Sequence, residues 1–154
     1  MAIEKVKEFF KQFNMEDRII EFNVSSATVE EAAKALNTEG KRIAKSLSFK
    51  TKDNIIMIIL AGDAKVSNSK YKALFHEKAH MLSFDEVNEL IGHPVGGVCP
   101  FAINEGVIVY LDESLKRFKT VFPACGSGNS AIELSIEELE KYSNYKEWID
   151  VSNY

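Results

Sequence analysis

The sequence predicts a single α+β domain over residues 1–154, with helices set around a mixed, mostly antiparallel sheet. Three observations point to it. Strand-like stretches cluster along the chain without a regular strand–helix alternation. Three Ser/Thr-to-Glu capping signals mark helix starts, and no linker, repeat or low-complexity tract divides the chain. With 45% hydrophobic and 27% charged residues, the 154-residue chain can bury one core and is not a disordered tail.

Taken in order, Ile3, Val6, Phe10 and Phe13 recur at helical spacing, with Phe9 widening the stripe. That pattern predicts an amphipathic helix over residues 2–13. Residues 18–24 read as a short strand. Thr28 stands three residues before Glu31 and opens a helix to about Leu36; Ser83/Glu86 and Ser135/Glu138 repeat the signal ahead of apolar stripes. In such a box each side chain satisfies a backbone N–H that the first helical turn would leave unpaired. Residues 43–49 alternate, placing Ile43, Lys45, Leu47 and Phe49 on one face. Residues 55–61 are continuously apolar, as in a strand buried on both faces. Residues 107–111, 120–124 and 131–134 complete the sheet, with 148–151 as a last strand. Residues 37–41, 51–54, 92–97 and 126–130 are turn-rich connections.

Composition bounds the setting. Cys99 and Cys125 are too few for a disulfide framework and fit a reducing compartment. The longest apolar run is far short of the ~18 residues a membrane span needs. Glu4, Lys5, Lys7, Glu8 and Lys11 interrupt any signal-peptide core. A cytoplasmic protein with no membrane partner is expected. The net charge of -4 argues against general nucleic-acid binding, yet the charge is unevenly spread. Lys41, Arg42, Lys45, Lys50, Lys52, Lys65, Lys70 and Lys72 face only Asp53 and Asp63 within residues 41–72. A one-sign block in an acidic chain suits an anionic partner, although solvated strand edges and loops give the same pattern.

Four features could carry chemistry. His76-Glu77-Lys78-Ala79-His80 matches the H-E-x-x-H zinc motif, which requires a continuous helix and a third ligand. Ser83 caps a new helix only three residues beyond His80, residues 79–82 read as a connecting strand, and His93 is the one remaining histidine. Surface or helix-end histidines are the simpler reading. Cys99 could be activated by loop amides or His93, but an inert buried thiol is the commoner outcome. Gly96 and Gly97, followed by Pro100, make a stiff turn that a substrate can approach closely. Consecutive amides in such a turn suit a carboxylate, phosphate or oxyanion, and the 126–130 turn offers a second concavity. Lys45 sits on an apolar face, where a lysine either snorkels outward or marks a pocket with an anionic occupant.

Together, residues 26–33 (SATVEEAA), 42–47 (RIAKSL), 61–63 (AGD), 91–101 (IGHPVGGVCPF), 109–115 (VYLDESL) and 124–127 (ACGS) resemble the YbaK/EbsC family of aminoacyl-tRNA deacylases. That family is related to the editing insertion of bacterial prolyl-tRNA synthetases. The resemblance runs from about residue 20 to the carboxyl end. It implies a mixed sheet curled into a partial barrel with helices around it. It also implies a trans-acting hydrolase that removes a small mischarged amino acid, of the Ala, Cys or Ser type, from tRNA, with tRNA-Pro the expected carrier. Lys45 matches the family's essential lysine, and Gly96 and Pro100 match the loop that holds the aminoacyl group. On this reading Lys45 and the Gly96, Gly97 and Val98 backbone act in catalysis. Cys99, Pro100, Asp112, Gly126 and Ser127 surround the substrate, Cys99 standing where relatives often carry Ser or another small residue. No metal or cofactor is expected, and no DNA partner. The expected partners are the acceptor end of aminoacyl-tRNA and a synthetase such as prolyl-tRNA synthetase. A non-catalytic aminoacyl-tRNA or amino-acid binding module is the alternative, and a zinc metallopeptidase through residues 76–80 a remote one.

Overall fold

A computed structural model describes residues 2–154. Its elements are α1 (Ala2–Lys11), β1 (Ile20–Glu21), α2 (Val29–Leu36), β2 (Ile43–Lys50), β3 (Ile55–Ala61), β4 (Lys65–Val66), α3 (Asn68–Phe75) and α4 (Phe84–Glu86), which continues as a π-turn over Val87–Ile91. There follow β5 (Ile108–Asp112), β6 (Thr120–Pro123), β7 (Ser130–Ala131), β8 (Leu134–Ser135), α5 (Ile136–Ser143), β9 (Tyr145–Ile149) and β10 (Ser152–Asn153). Six strands form one mixed sheet in the order β8-β6-β2-β3-β5-β9, curled into a half-barrel. Two short antiparallel pairs, β1-β7 and β10-β4, flank it.

The apolar run of β3 explains the sheet's centre. Six of its seven residues are buried, as a strand flanked on both edges and covered on both faces requires. It pairs antiparallel with β2 and parallel with β5. The parallel partner follows from the long crossover between them, which carries α3 and α4. On one face Phe49, Tyr71, Phe75 and Tyr110 form a chain of rings with centroids 5.3, 4.6 and 5.3 Å apart. The aromatic stripe of α1 gathers elsewhere in the core, where Phe10 meets Phe101 at 4.8 Å and Phe13 meets Tyr142 at 4.7 Å.

All three capping positions start helices. Ser83 and Ser135 form complete reciprocal boxes. Thr28 accepts the Glu31 N–H, but the Glu31 carboxylate turns to the hydroxyls of Thr28 and Ser25 instead of closing the box. Other expectations shift. The strand expected over 18–24 shrinks to two exposed residues, because the chain beyond it bonds to a loop: Phe22 to the Asn129 carbonyl and Ser26 to that of Gly128. Residues 131–134 split between two strands because they serve different partners, β7 pairing with β1 and β8 with β6. The last long strand begins at Tyr145, not at residue 148. Helix α3 carried no clear sequence signal, since among its eight residues only Tyr71 is buried.

An ion pair ties the early turn to α5. Arg18 Nη1 lies 2.6 Å from Glu138 Oε2, and its Nη2 donates to the Glu133 carbonyl at 2.7 Å. Hydrogen bonding from Arg18 is the main reason the Glu138 pKa falls to about 2. A depressed carboxylate stabilises the fold above its unfolded pKa and loses that contribution as pH falls through its folded value. Glu138→Gln keeps the cap geometry and removes the charge. It should lower stability by about 0.5–1 kcal/mol at pH 6, and the gap between urea midpoints should shrink when the measurement is repeated near pH 3.

Candidate active site

The site forms where one edge of β2 is left uncovered. At its start, Ile43 and Ala44 lie beside Phe122 and Pro123 of β6. At its end, the Leu82 N–H donates to the Ser48 carbonyl at 3.1 Å, and the Lys50 N–H to the His80 carbonyl at 2.8 Å. Between these two covers, ladder alternation turns the N–H and C=O of Ser46 outward, and no strand takes them. A cavity of about 460 Å³ opens at this gap. Its walls come from the start of α2, from β2, from residues 81–87, and from the turn containing Gly96 and Val98.

Lys45 lines this cavity. Its Nζ donates to the Gly62 carbonyl at 3.3 Å, which leaves two of its three N–H donors unused. Gly62 reaches that position because it lacks a side chain: a Cβ there would stand 2.0 Å from the Gly40 carbonyl oxygen. Burial pushes the Lys45 pKa below the ordinary lysine range, against an opposing pull from Asp63. Asp63 is committed elsewhere. Arg117 grips it with contacts of 2.6 and 3.0 Å, and that pairing holds its carboxyl below the usual range. Among the described residues no salt bridge neutralises Lys45, so a partly desolvated cation lines the hollow.

The glycine turn forms another wall. The Gly97 N–H donates to the Pro94 carbonyl at 2.9 Å, and the Gly126 N–H to the Gly97 carbonyl at 2.9 Å, which staples the turn to the 126–128 segment. Gly96 has φ +95°, and a Cβ on it would meet Ala27 Cβ at 2.9 Å. On Gly97 a Cβ would fall 2.4 Å from the Ser127 nitrogen. The N–H groups of Gly96 and Val98 have no intramolecular acceptor among the described residues. The hydroxyls of Ser26, Ser46 and Ser48, residues that also line the cavity, are buried without a partner.

Of the residues singled out in the sequence, Lys45, Gly96 and Val98 share this cavity. The others support its surroundings. Gly97 packs against Ser127. Cys99 and Pro100 are buried away from the cavity; the Cys99 sulfur lies 3.5 Å from His93 Nε2, and burial lifts its pKa to about 12. Asp112 is fully buried and spends its carboxylate on the N–H groups of Ser114 and Val151 and the hydroxyl of Ser152. Gly126, at φ +94°, and Ser127 line a separate hollow beside α1.

The zinc motif does not have the geometry it needs. Helix α3 ends at Phe75, His76 takes a left-handed conformation as its cap, and His80 belongs to the strip paired with β2. His93 is buried with its Nε2 2.7 Å from the Phe101 carbonyl. No group of three metal-ligating side chains assembles among the described residues. The basic block is also less open than its sequence suggests. Lys41, Arg42, Lys50 and Lys70 meet Glu39, Glu133, Glu86 and Asp150, while Lys45, Lys52, Lys65 and Lys72 have no salt bridge among the described residues. Sequence reasoning missed the apolar rim of the cavity at Met81, Phe84 and Val95. It also missed the Arg117–Asp63 pair, whose members are 54 positions apart.

Comparisons with known proteins agree with this geometry. Residues 24–142 match the family model of the aminoacyl-tRNA editing domain. The chain is 54% identical over 152 residues to the uncharacterized protein YwhH of Bacillus subtilis (strain 168), covering 98% of this chain and 97% of that one. It is 32% identical over 125 residues to a proline–tRNA ligase of Thermosipho melanesiensis, covering 80% of this chain but only 22% of the ligase. A crystal structure described as a candidate trans-editing enzyme for prolyl-tRNA synthetase superposes with a TM-score of 0.88 at 25% identity, over 99% of this chain and 98% of that one. That of the hypothetical protein APE2540 superposes with a TM-score of 0.85 at 29% identity, over 97% and 99%. No described helix is long and apolar enough to cross a membrane. The chain belongs to the aminoacyl-tRNA editing domain family, as a YbaK-like member related to prolyl-tRNA synthetases, with a role in translation fidelity.

Proposed function

We propose that the protein is a trans-acting aminoacyl-tRNA deacylase that hydrolyses the ester of a small mischarged amino acid, of the Ala, Cys or Ser type, with tRNA-Pro as the carrier. One observation carries this reading: an unneutralised, partly desolvated Lys45 lines the same cavity as Gly96 and Val98, two residues whose N–H groups have no acceptor among the described residues. The likeness to a proline–tRNA ligase and to a candidate trans-editing enzyme supports the choice of tRNA.

The ester bond is labile enough that charge stabilisation and positioning suffice. Lys45 binds the terminal phosphate or the ester end and holds the carbonyl in register. The Gly96 and Val98 amides receive the developing oxyanion, where one lost donor typically costs about 3–4 kcal/mol. A water attacks, the vicinal ribose hydroxyl relaying its proton. The Ser46 carbonyl, unpaired on the strand edge, accepts from the substrate's α-ammonium. Neither cysteine enters the reaction, since burial raises both thiol pKa values. The apolar walls of Ile43, Ala44, Val98, Phe122 and Ala124 admit a compact side chain, so size decides which ester enters.

Incubation with a panel of correctly and incorrectly charged tRNAs should show selective loss of a small-side-chain ester. Retention of every ester under single-turnover conditions, despite binding, would make the protein a carrier and not a hydrolase. Lys45→Ala should reduce kcat/KM by about 100-fold or more while leaving thermal stability nearly unchanged. Gly97→Ala should force the turn off Ser127 and lose both activity and several degrees of thermal midpoint. With a few phosphate contacts, kcat/KM at subsaturating tRNA should drop about 10-fold between 50 and 200 mM salt.

A further inference from the structure

We propose that the outer part of this cavity is a nucleoside subsite, in which the ring of Phe84 stacks on the terminal base of the acceptor end. The inference rests on the deacylase reading and adds a positioning residue to it. Phe84 is 72% exposed, Met81 60% and Val95 49%, and all three line the cavity. A phenyl ring left so bare contributes little to the core, and among the described residues it meets no other ring.

Its backbone is nonetheless firmly held. The Ser83 hydroxyl accepts the Glu86 N–H at 3.3 Å, and Glu86 Oε1 accepts the Ser83 N–H at 2.9 Å, so Phe84 opens a helix with a closed capping box. The strip before it is bonded to β2 at Ser48 and Lys50. The ring is therefore presented from a fixed base, as a stacking platform must be.

Size, connectivity and charge select the occupant. At about 460 Å³ the cavity falls in the range of drug-sized ligands, far above a two- or three-carbon acyl group. The base hangs from the same ribose whose hydroxyl carries the ester. With the carbonyl held between Lys45 and the Gly96–Val98 backbone, ribose and base occupy what remains, toward the exposed rim. Lys45 is the one charged residue among those lining the cavity, and no carboxylate lines it. That balance suits the terminal nucleotide of a polyanion. An aromatic face stacks on any base without needing a hydrogen-bond code.

The test compares two esters of the amino acid that the charged-tRNA panel identifies: one on adenosine, the other on 1-O-methylriboside, which has no base. Phe84→Ala should raise KM for the adenosine ester by about 5- to 150-fold, with the loss in KM and not in kcat. The penalty on the base-free ester should be at least five-fold smaller, and Phe84→Trp should restore the adenosine ester. Equal penalties on both esters, or none on either, would overturn the subsite while leaving the deacylase reading intact. A wild-type protein that hydrolyses no charged tRNA would remove both. Sedimentation showing a wild-type dimer that Phe84→Ala dissociates would assign the rim to a second copy of this chain, and the base-stacking role would fall.

Discussion

The site exists because β2 is covered at both ends and bare in the middle. β6 reaches only its first two residues, and the 80–82 strip reaches only its last three. A strand with an unpaired edge is normally a liability, since its free N–H and C=O groups invite another chain. Here the exposed stretch is three residues long, centred on Ser46, and it opens into a hollow instead of onto a flat surface. The gap is too short to template a strand, yet wide enough to offer polar main chain to a small ligand.

A second constraint keeps Lys45 available. A lysine that is half-buried beside a carboxylate would ordinarily pair with it, and the pair would be electrically silent. Asp63 is close enough to raise the Lys45 pKa, but the bidentate grip of Arg117 takes both its oxygens. Arg117 is anchored by its own contacts, donating to the Ser114 carbonyl at 2.9 Å and lying 3.9 Å over the ring of Tyr154. The cation in the cavity thus keeps two donors free, and the cost of its partial desolvation is borne by the packing around it. Lys45 resides on β2 and Arg117 follows β5, so the sheet itself sets this division of charges.

Much of this was legible in the sequence, for physical reasons that differ from residue to residue. Strand β3 was plain because burial on both faces leaves no polar position. Helices α2, α4 and α5 were visible through their caps, which act within four residues and need no tertiary partner. Lys45 stood out because a charge broke an apolar alternation. Helix α3 escaped because Tyr71 and Phe75 alone face the core, too few to mark a period. Asp112 shows the limit most clearly. The motif around it placed it near a pocket, but its carboxylate caps the next turn at Ser114 and is otherwise consumed by Val151 and Ser152, which only tertiary structure brings near. Gly97 and Gly126 are similar: their spacing marked turns, but their purpose is to let two turns touch each other and α1.

The two glycines of this turn do different work, and the difference explains how one turn can be both rigid and receptive. Gly97 is packed so tightly against Ser127 that no side chain fits, and both its N–H and its carbonyl are bonded within the protein. It fixes the turn. Gly96, one residue earlier, takes a positive φ, stands against Ala27 and lines the hollow, and its own N–H has no acceptor among the described residues. It presents the turn. Fixing a donor in place before a substrate arrives removes the reorganisation that water would need to solvate the same charge. A side chain at either position would act through a different link, displacing the staple at Gly97 or narrowing the cavity at Gly96. The chemistry proposed for this protein therefore depends less on any reactive side chain than on backbone that has been left unpaired and held still.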